Sequence, residues 1–344
     1  MPSVSEIANH AGVSKSTVSL VLNDKDGVSA HMRQRVMQAV DELEALTPVA
    51  SVADENNDNR QARKNPKLLS ILVLHSTLHS VTEHFTGVLQ GVQEGVQRLN
   101  IQLSLAINEP ELPDEHITSL YFSEPVLRPD GVIVFGADHF EYIGQKTREL
   151  GIPCVFVGVP LPGTRFSFIA PDEERAGYTA TRHLLDLGHR NIAFVCGDRD
   201  LPATLLRVEG YRLALAEAGI DHEAIFLEPL PSGAEYAIDR FLRQKDAITA
   251  VLFGNNHASR IGLPALADAD RAIPDDISVI VFDDTTFHQQ YDPLITTMSY
   301  PLVSQGRWAV RALSDLLESP EINTVQTLFE ATLIMRDSCV APGS

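Results

Sequence analysis

Ser3-Val4-Ser5-Glu6-Ile7-Ala8-Asn9-His10-Ala11-Gly12-Val13-Ser14-Lys15-Ser16-Thr17-Val18-Ser19-Leu20-Val21-Leu22-Asn23 reads as two short capped helices joined at a glycine. Ser3 with Glu6 three residues on is a capping box, which satisfies the first amide donors of a helix. Val4, Ile7, Ala8 and Ala11 share one face of that helix. Gly12 supplies the backbone freedom of a tight turn, and Ser14 caps a second helix with Val18, Val21 and Leu22 turned inward. Lys15, Ser16, Thr17 and Ser19 form a polar group at the start of this second helix. In a helix-turn-helix that end enters the DNA major groove, where short hydroxyl and amine side chains reach base edges and phosphates. A third helix over roughly 29–46, with Val36, Ala39, Val40 and Leu43 inward, closes a three-helix core. A ligand-free helical bundle is the plainer alternative, but a capped helix, a glycine turn and a second capped helix coincide here at motif spacing.

Glu6-Ile7-Ala8, Ala11-Gly12-Val13-Ser14, Ser16-Thr17-Val18-Ser19 and Val21-Leu22-Asn23 resemble the headpiece of the LacI/GalR (lactose and galactose repressor) family. Val28-Ser29 with Arg33, Arg35 and Val36 is similar to the opening of that family's third helix. The resemblance implies a dimeric bacterial transcription regulator that binds a near-palindromic operator and answers to a small molecule. It implies DNA contacts from Ser5, Ser14, Lys15, Ser16, Thr17, Ser19, Leu20, Asn23 and Ser29. Leu20 stands where the family has a base-reading arginine, while Lys15 and Ser16 occupy two other base-reading positions. Losing one good charged base contact removes about 1–3 kcal/mol of discrimination, so an operator unlike the family consensus is expected.

A chain of 344 residues is long enough for two or three domains. No apolar stretch has the length of a membrane span and the polar N-terminus does not read as a signal peptide, so a cytoplasmic protein without membrane contact is expected. Cys154, Cys196 and Cys339 are widely spaced; the first two lie in strand-like runs and read as buried thiols. The formal net charge is −19, but residues 1–67 carry eight Lys/Arg against nine Asp/Glu, so the acidity belongs to the remainder. A headpiece near neutrality implies few phosphate contacts, which dimerisation would double.

From Leu68 onward, short apolar runs alternate with helical segments, the pattern of parallel sheets wrapped by helices. One strand is expected at 327–333, and a helix begins near Phe85 after a loop from His75. Gly87, Gly91 and Gly95, four apart on that helix, read as close packing on the sheet or on a partner. The fold class is therefore α/β: a small all-α helix-turn-helix headpiece followed by a two-lobed domain which, by the resemblance, is like the type I periplasmic binding proteins. Expected boundaries are 1–46 for the headpiece and 47–67 for a linker. One lobe would take 68–190 plus 300–325, and the other 191–299 plus 326–340. Ligands in such folds bind beside the carboxyl ends of the strands.

The resemblance also implies where an effector sits. Asp172 opens a helix after a strand, and Arg207 precedes Gly210-Tyr211 at the spacing of an effector-gripping arginine. Asn255 follows Val251-Leu252-Phe253, and Asp283 follows Val279-Ile280-Val281-Phe282. Two carboxylates, a guanidinium fork and an amide suit a ligand rich in hydroxyls, and a sugar or polyol is expected. His75 joins this set from the first loop, and Phe85, Phe282 and Tyr291 are candidate stacking faces. Three departures put the effector's class in question. Asn256 replaces the family's aspartate, Pro229 to Gly233 lacks its aromatic residue, and the first loop lacks its proline and paired aromatics. His75, His79 and His84 do not have a recognised metal spacing, and neither metal nor cofactor is expected.

The family's hinge helix wedges a leucine into the minor groove. Leu46-Thr47-Pro48-Val49 begins that pattern but places Glu55 at the wedge. Asn59-Arg60-Gln61-Ala62-Arg63-Lys64-Asn65 fits part of it better, with Arg60 and Arg63 as DNA contacts and Asn65 at the wedge. A disordered tether is the plain alternative. The expected function is a ligand-responsive regulator, generally a repressor, acting as a homodimer with a tetramer left open. A small-molecule sensor without a gene-regulatory role is the alternative. There is no nucleophile elbow, phosphate-cradling glycine loop or zinc-protease helix to support an enzyme.

Overall fold

The computed structural model describes residues 8, 10–22, 28, 32, 35, 36 and 39 of an N-terminal unit. In a second unit it describes 67–74, 78–97, 99, 101–108, 129–136, 140–197, 201–227, 233–244, 248–319 and 324–343, at some positions the backbone alone. In the first unit, helix α1 (Lys15–Leu22) follows a turn at Gly12, whose φ of +62° lies in the left-handed region that suits glycine. The Ser14 hydroxyl accepts the Thr17 N–H at 3.1 Å, which is the expected cap. Ala8, Ala11, Val18, Val21, Val36 and Ala39 are buried together, and Arg35 donates to the Ala11 carbonyl at 2.7 Å. The capping box at Ser3 and the hinge lie outside the described residues.

The second unit carries two six-stranded sheets of matching order. The first is built from β1 (Lys67–Leu74), β2 (Ile101–Asn108), β3 (Gly131–Phe135), β4 (Cys154–Val157), β5 (Ser167–Pro171) and β11 (Gln326–Phe329), in the order β11-β5-β4-β3-β1-β2. The second is built from β6 (Ile192–Cys196), β7 (Ala224–Leu227), β8 (Ala250–Phe253), β9 (Ser278–Phe282), β10 (Thr296–Ser299) and β12 (Thr332–Ile334), in the order β12-β10-β9-β8-β6-β7. All described pairings are parallel except β10 with β12. Each sheet thus reverses its strand order beside its first strand, and such a switch point opens a crevice at the strands' carboxyl ends. Strands β3, β8 and β9 are buried along their whole length, which explains their unbroken apolar sequences.

The helices are α2 (Leu78–Val96), α3 (Phe140–Glu149), α4 (Glu173–Asp186), α5 (Pro202–Glu217), α6 (Gly233–Leu242), α7 (Asn256–Asp268), α8 (Thr286–Gln289) and α9 (Leu302–Glu318). The spacing of Gly87, Gly91 and Gly95 lets α2 lie directly on α9. A Cβ on Gly91 would sit 2.0 Å from the Val303 carbonyl oxygen, and one on Gly306 would sit 2.1 Å from that of Val88. The glycines therefore serve helix-to-helix packing within one lobe.

Three expectations move. Helix α2 begins at Leu78 where a loop to Phe85 was expected; His79, Ser80 and Thr82 are weak helix formers, yet no glycine or proline interrupts them. The expected strand at 327–333 is two strands: β11 pairs with β5 and β12 with β10, so the chain changes lobes between Phe329 and Thr332, not at 325/326. The first crossing also lies earlier than 190/191. Ala176, Ala180, Leu184 and Leu185 of α4 are buried with Phe194, Leu252 and Phe282 of the second sheet, so the chain crosses at about Asp172. Gly177 of α4 and Gly210 of α5 bring these two helices together, each facing the backbone of the other helix at about 2 Å from a hypothetical Cβ.

Candidate functional site

Asp172 follows β5, Asn255 follows the β8 end and Asp283 follows β9, and Arg207 of α5 joins these strand ends: it binds Glu173, next to Asp172, and Gly254, next to Asn255, and acts electrostatically on Asp283. The three crossing segments also pass here, so a group at this place touches both lobes and the connections between them.

Arg207 is the centre of the arrangement and is buried. Its Nε donates to one Glu173 carboxylate oxygen at 2.7 Å and its Nη2 to the other at 2.8 Å, a bidentate fork. Nη1 donates to the Gly254 carbonyl, next to the Asn255 helix cap. The guanidinium carbon lies 4.9 Å from the Phe282 ring centroid and 5.5 Å from that of Tyr300. The Tyr300 hydroxyl donates to the same Glu173 oxygen that Nε holds, at 2.9 Å. Burial works against the charge on Arg207, but Glu173, Tyr300 and Asp283 together outweigh it and hold the guanidinium's pKa well above its ordinary value. Burial pushes the Tyr300 phenol up as well, so it stays a donor.

Asp283 has a φ of +85°, a strained conformation for a non-glycine residue, and its N–H donates to the Met298 carbonyl. His84 of α2 approaches its carboxylate at 3.5 Å from the other lobe. Burial alone would raise the Asp283 carboxyl, but the His84 hydrogen bond, the Arg207 guanidinium and the Asn256 N–H together bring it down to about 2. The neighbouring Asp284 instead fixes the β9–β10 end, pairing with Arg336 at 2.8 Å and accepting from the Thr297 hydroxyl. Asp172 is half-buried and caps α4 by accepting the Arg175 N–H at 3.0 Å. Asn255 caps α7 through the Ala258 N–H at 2.8 Å.

The aromatic candidates separate. Phe85 packs half-buried on Phe135 with ring centroids 5.3 Å apart, close to His84, which lies 6.0 Å from the same ring. Phe282 is fully buried with Arg207 over its face, so it is not an open stacking surface. Tyr291 packs on Phe287 within the second lobe and lines a 430 Å³ hollow with Leu263, Arg271 and Pro293 instead of joining the group. His75, Ser5, Asn23, Ser29, Arg60 and Arg63 lie outside the described residues, as do the side chains of Ser16, Ser19 and Leu20. Lys15 is exposed, and the Thr17 hydroxyl shares a 2.8 Å hydrogen bond with Ser14.

Four participants were not legible in the sequence: Glu173, Tyr300, Glu83 and Thr286. Glu173 is adjacent to a motif residue, but only the fold brings Arg207 and Tyr300 to it. Glu83, in the second turn of α2, and Thr286, at the start of α8, tie the lobes together from 203 positions apart. His189, within a family-like segment, is structural: it is buried, with Nδ1 2.9 Å from the Thr249 hydroxyl and Nε2 2.8 Å from the Val340 carbonyl. Among the described residues no helix is long and apolar enough to cross a membrane.

The chain matches the family model described as bacterial regulatory proteins, lacI family, over residues 3–45. It matches a periplasmic binding protein-like domain over residues 181–339. It is 27% identical to the HTH-type transcriptional regulator CelR of Thermobifida fusca, over 98% of each chain. It is 34% identical to the HTH-type transcriptional regulator GalR of Escherichia coli K12, over 55% of this chain and 56% of that one. A solved structure of the transcriptional regulator CelR–cellobiose complex superposes with a TM-score of 0.70 at 25% identity, covering 98% of this chain and all of that one. The lac repressor dimer bound to operator and the anti-inducer ONPF has the same fold, with a TM-score of 0.68 at 22% identity and 99% of both chains covered.

Proposed function

Since the chain belongs to the LacI/GalR family of bacterial transcriptional regulators, we propose that it binds a near-palindromic operator as a homodimer. In this reading a small polyhydroxylated effector, a sugar or sugar derivative, lies between its lobes. It is a DNA-binding transcriptional regulator and not an enzyme. What supports the effector reading is that Arg207 joins Glu173 beside Asp172, Gly254 beside Asn255 and the surroundings of Asp283, all at the carboxyl ends of strands from two lobes. Carboxylates accept from ligand hydroxyls, and the crossing segments at the same place let a bound molecule bias the angle between lobes. The cellobiose of the CelR complex puts sugars first among the candidates.

The operator reading rests on the helix-turn-helix, whose exposed Lys15 begins the helix that would enter the major groove. A regulator of this kind works where the DNA is, in the cytoplasm. The test is fluorescence anisotropy of labelled DNA from upstream of the protein's own gene, titrated with mono- and disaccharides. Binding that survives excess unrelated DNA is expected, with one sugar changing the apparent Kd at least about tenfold, a coupling of ordinary allosteric size. Binding no tighter than to unrelated DNA would sink the operator reading. Specific binding that no sugar alters would sink the effector reading.

A further inference from the structure

We propose that Glu173 sets the charge specificity of the effector cleft, so that the site takes uncharged polyhydroxylated ligands and rejects phosphorylated or carboxylated ones. The inference rests on the effector reading above and concerns the class of ligand the same site accepts.

An arginine at the carboxyl ends of strands is ordinarily a receptor for anions, because its planar fork matches a carboxylate or phosphate. Here that fork is already filled from within the protein. Glu173 takes Nε and Nη2, Gly254 takes Nη1, and Tyr300 donates to the same Glu173 oxygen as Nε. Both partners are buried, Glu173 at 2% exposure and Arg207 at 6%, and Phe282 and Tyr300 flank the guanidinium. An incoming anion would have to displace a bidentate carboxylate and leave it buried without its partner.

The surrounding charge points the same way. Among the described residues Arg207 is matched by Glu173, and Asp172 and Asp283 stand against one histidine, His84, so the polar wall is on balance acidic. Among the described residues Asp283 is faced by His84, Arg207, His288, Tyr300 and the Asn256 N–H, and Glu83 adds a further carboxylate at the lobe junction. Hydroxyl donors meet acceptors on this wall, whereas a ligand phosphate meets like charge in a partly desolvated place. Glu173 is thus a positioning residue: it fixes Arg207 as a neutralised wall and reserves the remaining acceptors for hydroxyl groups.

The experiment uses the full chain in a thermal-shift titration with matched pairs: glucose against glucose 6-phosphate and glucuronate, galactose against galactose 1-phosphate and galacturonate, and cellobiose. The expected result is stabilisation by at least one neutral sugar, and at least a tenfold weaker effect from its anionic counterparts. Glu173→Gln, which leaves the arginine charge uncancelled, should narrow that gap at least tenfold and confer binding of inorganic phosphate. Circular dichroism confirms that the variant is folded; if it is not, the comparison on the unaltered protein decides alone. A sugar phosphate or uronate that stabilises the unaltered protein as well as its neutral parent overturns the inference while leaving the cleft a sugar site. A folded Glu173→Gln that gains no anion affinity also overturns it. No shift from any sugar, charged or neutral, removes the effector reading and this inference together.

Discussion

Glu83 on α2 and Thr286 at the start of α8 meet across the two lobes: the Glu83 carboxylate accepts the Thr286 N–H at 2.9 Å and its hydroxyl at 3.3 Å. One residue further on, His84 approaches Asp283. Among the described residues these polar bonds tie the lobes at the carboxyl ends of the strands, so the lobe angle should respond to their loss.

Glu83→Ala should shift the domain towards an open arrangement with little loss of global stability, because a solvent-exposed hydrogen bond contributes about 1 kcal/mol or less. The check is small-angle X-ray scattering without ligand. A larger radius of gyration with an unchanged urea midpoint is expected, and an unchanged radius would show that other contacts set the angle.

Removing Arg207 should be costly in itself, quite apart from any ligand. Arg207→Ala leaves Glu173 buried and unpaired, a class of change worth about 3–5 kcal/mol. Adding Glu173→Gln to it should restore part of that loss. Urea unfolding of the two singles and the double gives the coupling, and additive losses would mean the pair is not the source of the cost.

Acid should weaken the fold in two stages. His288 is fully buried, with Nε2 2.8 Å from the Ser259 hydroxyl and Nδ1 3.0 Å from that of Thr285, and burial lowers its pKa to about 4. The unfolded chain takes up that proton from about pH 6.5, the folded one only near 4. Stability is therefore full above pH 6.5 and declines as the pH falls towards 4, by up to roughly 3 kcal/mol from this residue. His189, also lowered by burial, acts with the same sign. Asp283, depressed to about 2, contributes in a separate window, its stabilisation being lost as the pH falls from about 4. Melting temperature against pH should flatten between 4 and 6.5 in His288→Gln, and an unchanged slope there would assign the effect elsewhere.

Gly91→Ala should destabilise the N-terminal lobe by more than the usual overpacking cost of about 1–3 kcal/mol, because the new methyl would meet the Val303 backbone, which cannot rotate away. Gly151→Ala is the useful contrast: nothing lies within 4 Å of its hypothetical Cβ, so its cost is limited to the backbone strain of φ +67°. Denaturant midpoints that rank the two in the opposite order would refute the packing argument.

If the start of α1 enters the major groove as proposed, Lys15→Ala should alter which operator bases are preferred. Selection from a randomised operator library reads this directly. A uniform loss of affinity across all sequences would make Lys15 a phosphate contact instead.

Much of the molecule was legible from short-range pattern alone. Gly12 and the Ser14 cap stand where their residue types placed them, and β8 and β9 follow their apolar runs. Asp172, Asn255 and Asp283 were singled out by the family resemblance, each following a strand-like run. The errors have a common physical origin. The apolar stripe of α4 says that it must be covered, not which sheet covers it, and Thr327 to Leu333 looks like one strand because alternation persists through the break at Glu330-Ala331. Phe282 was offered as a stacking face because sequence cannot reveal that a guanidinium already covers it.

The sequence by itself determined the class of protein: helix caps, a glycine turn and alternating strand–helix segments are local, and local rules of hydrogen bonding and periodicity suffice to read them. Tertiary structure alone decided the character of the cleft. Glu173, Arg207 and Tyr300 are separated by 34 and 127 positions measured from Glu173, and no periodicity links them. They meet because α4 packs on α5 at Gly177 and Gly210 while the chain crosses between lobes at the same place. Whether Arg207 greets a ligand or is neutralised from within depends on that packing, since charge partners are chosen by distance in space and not by distance along the chain.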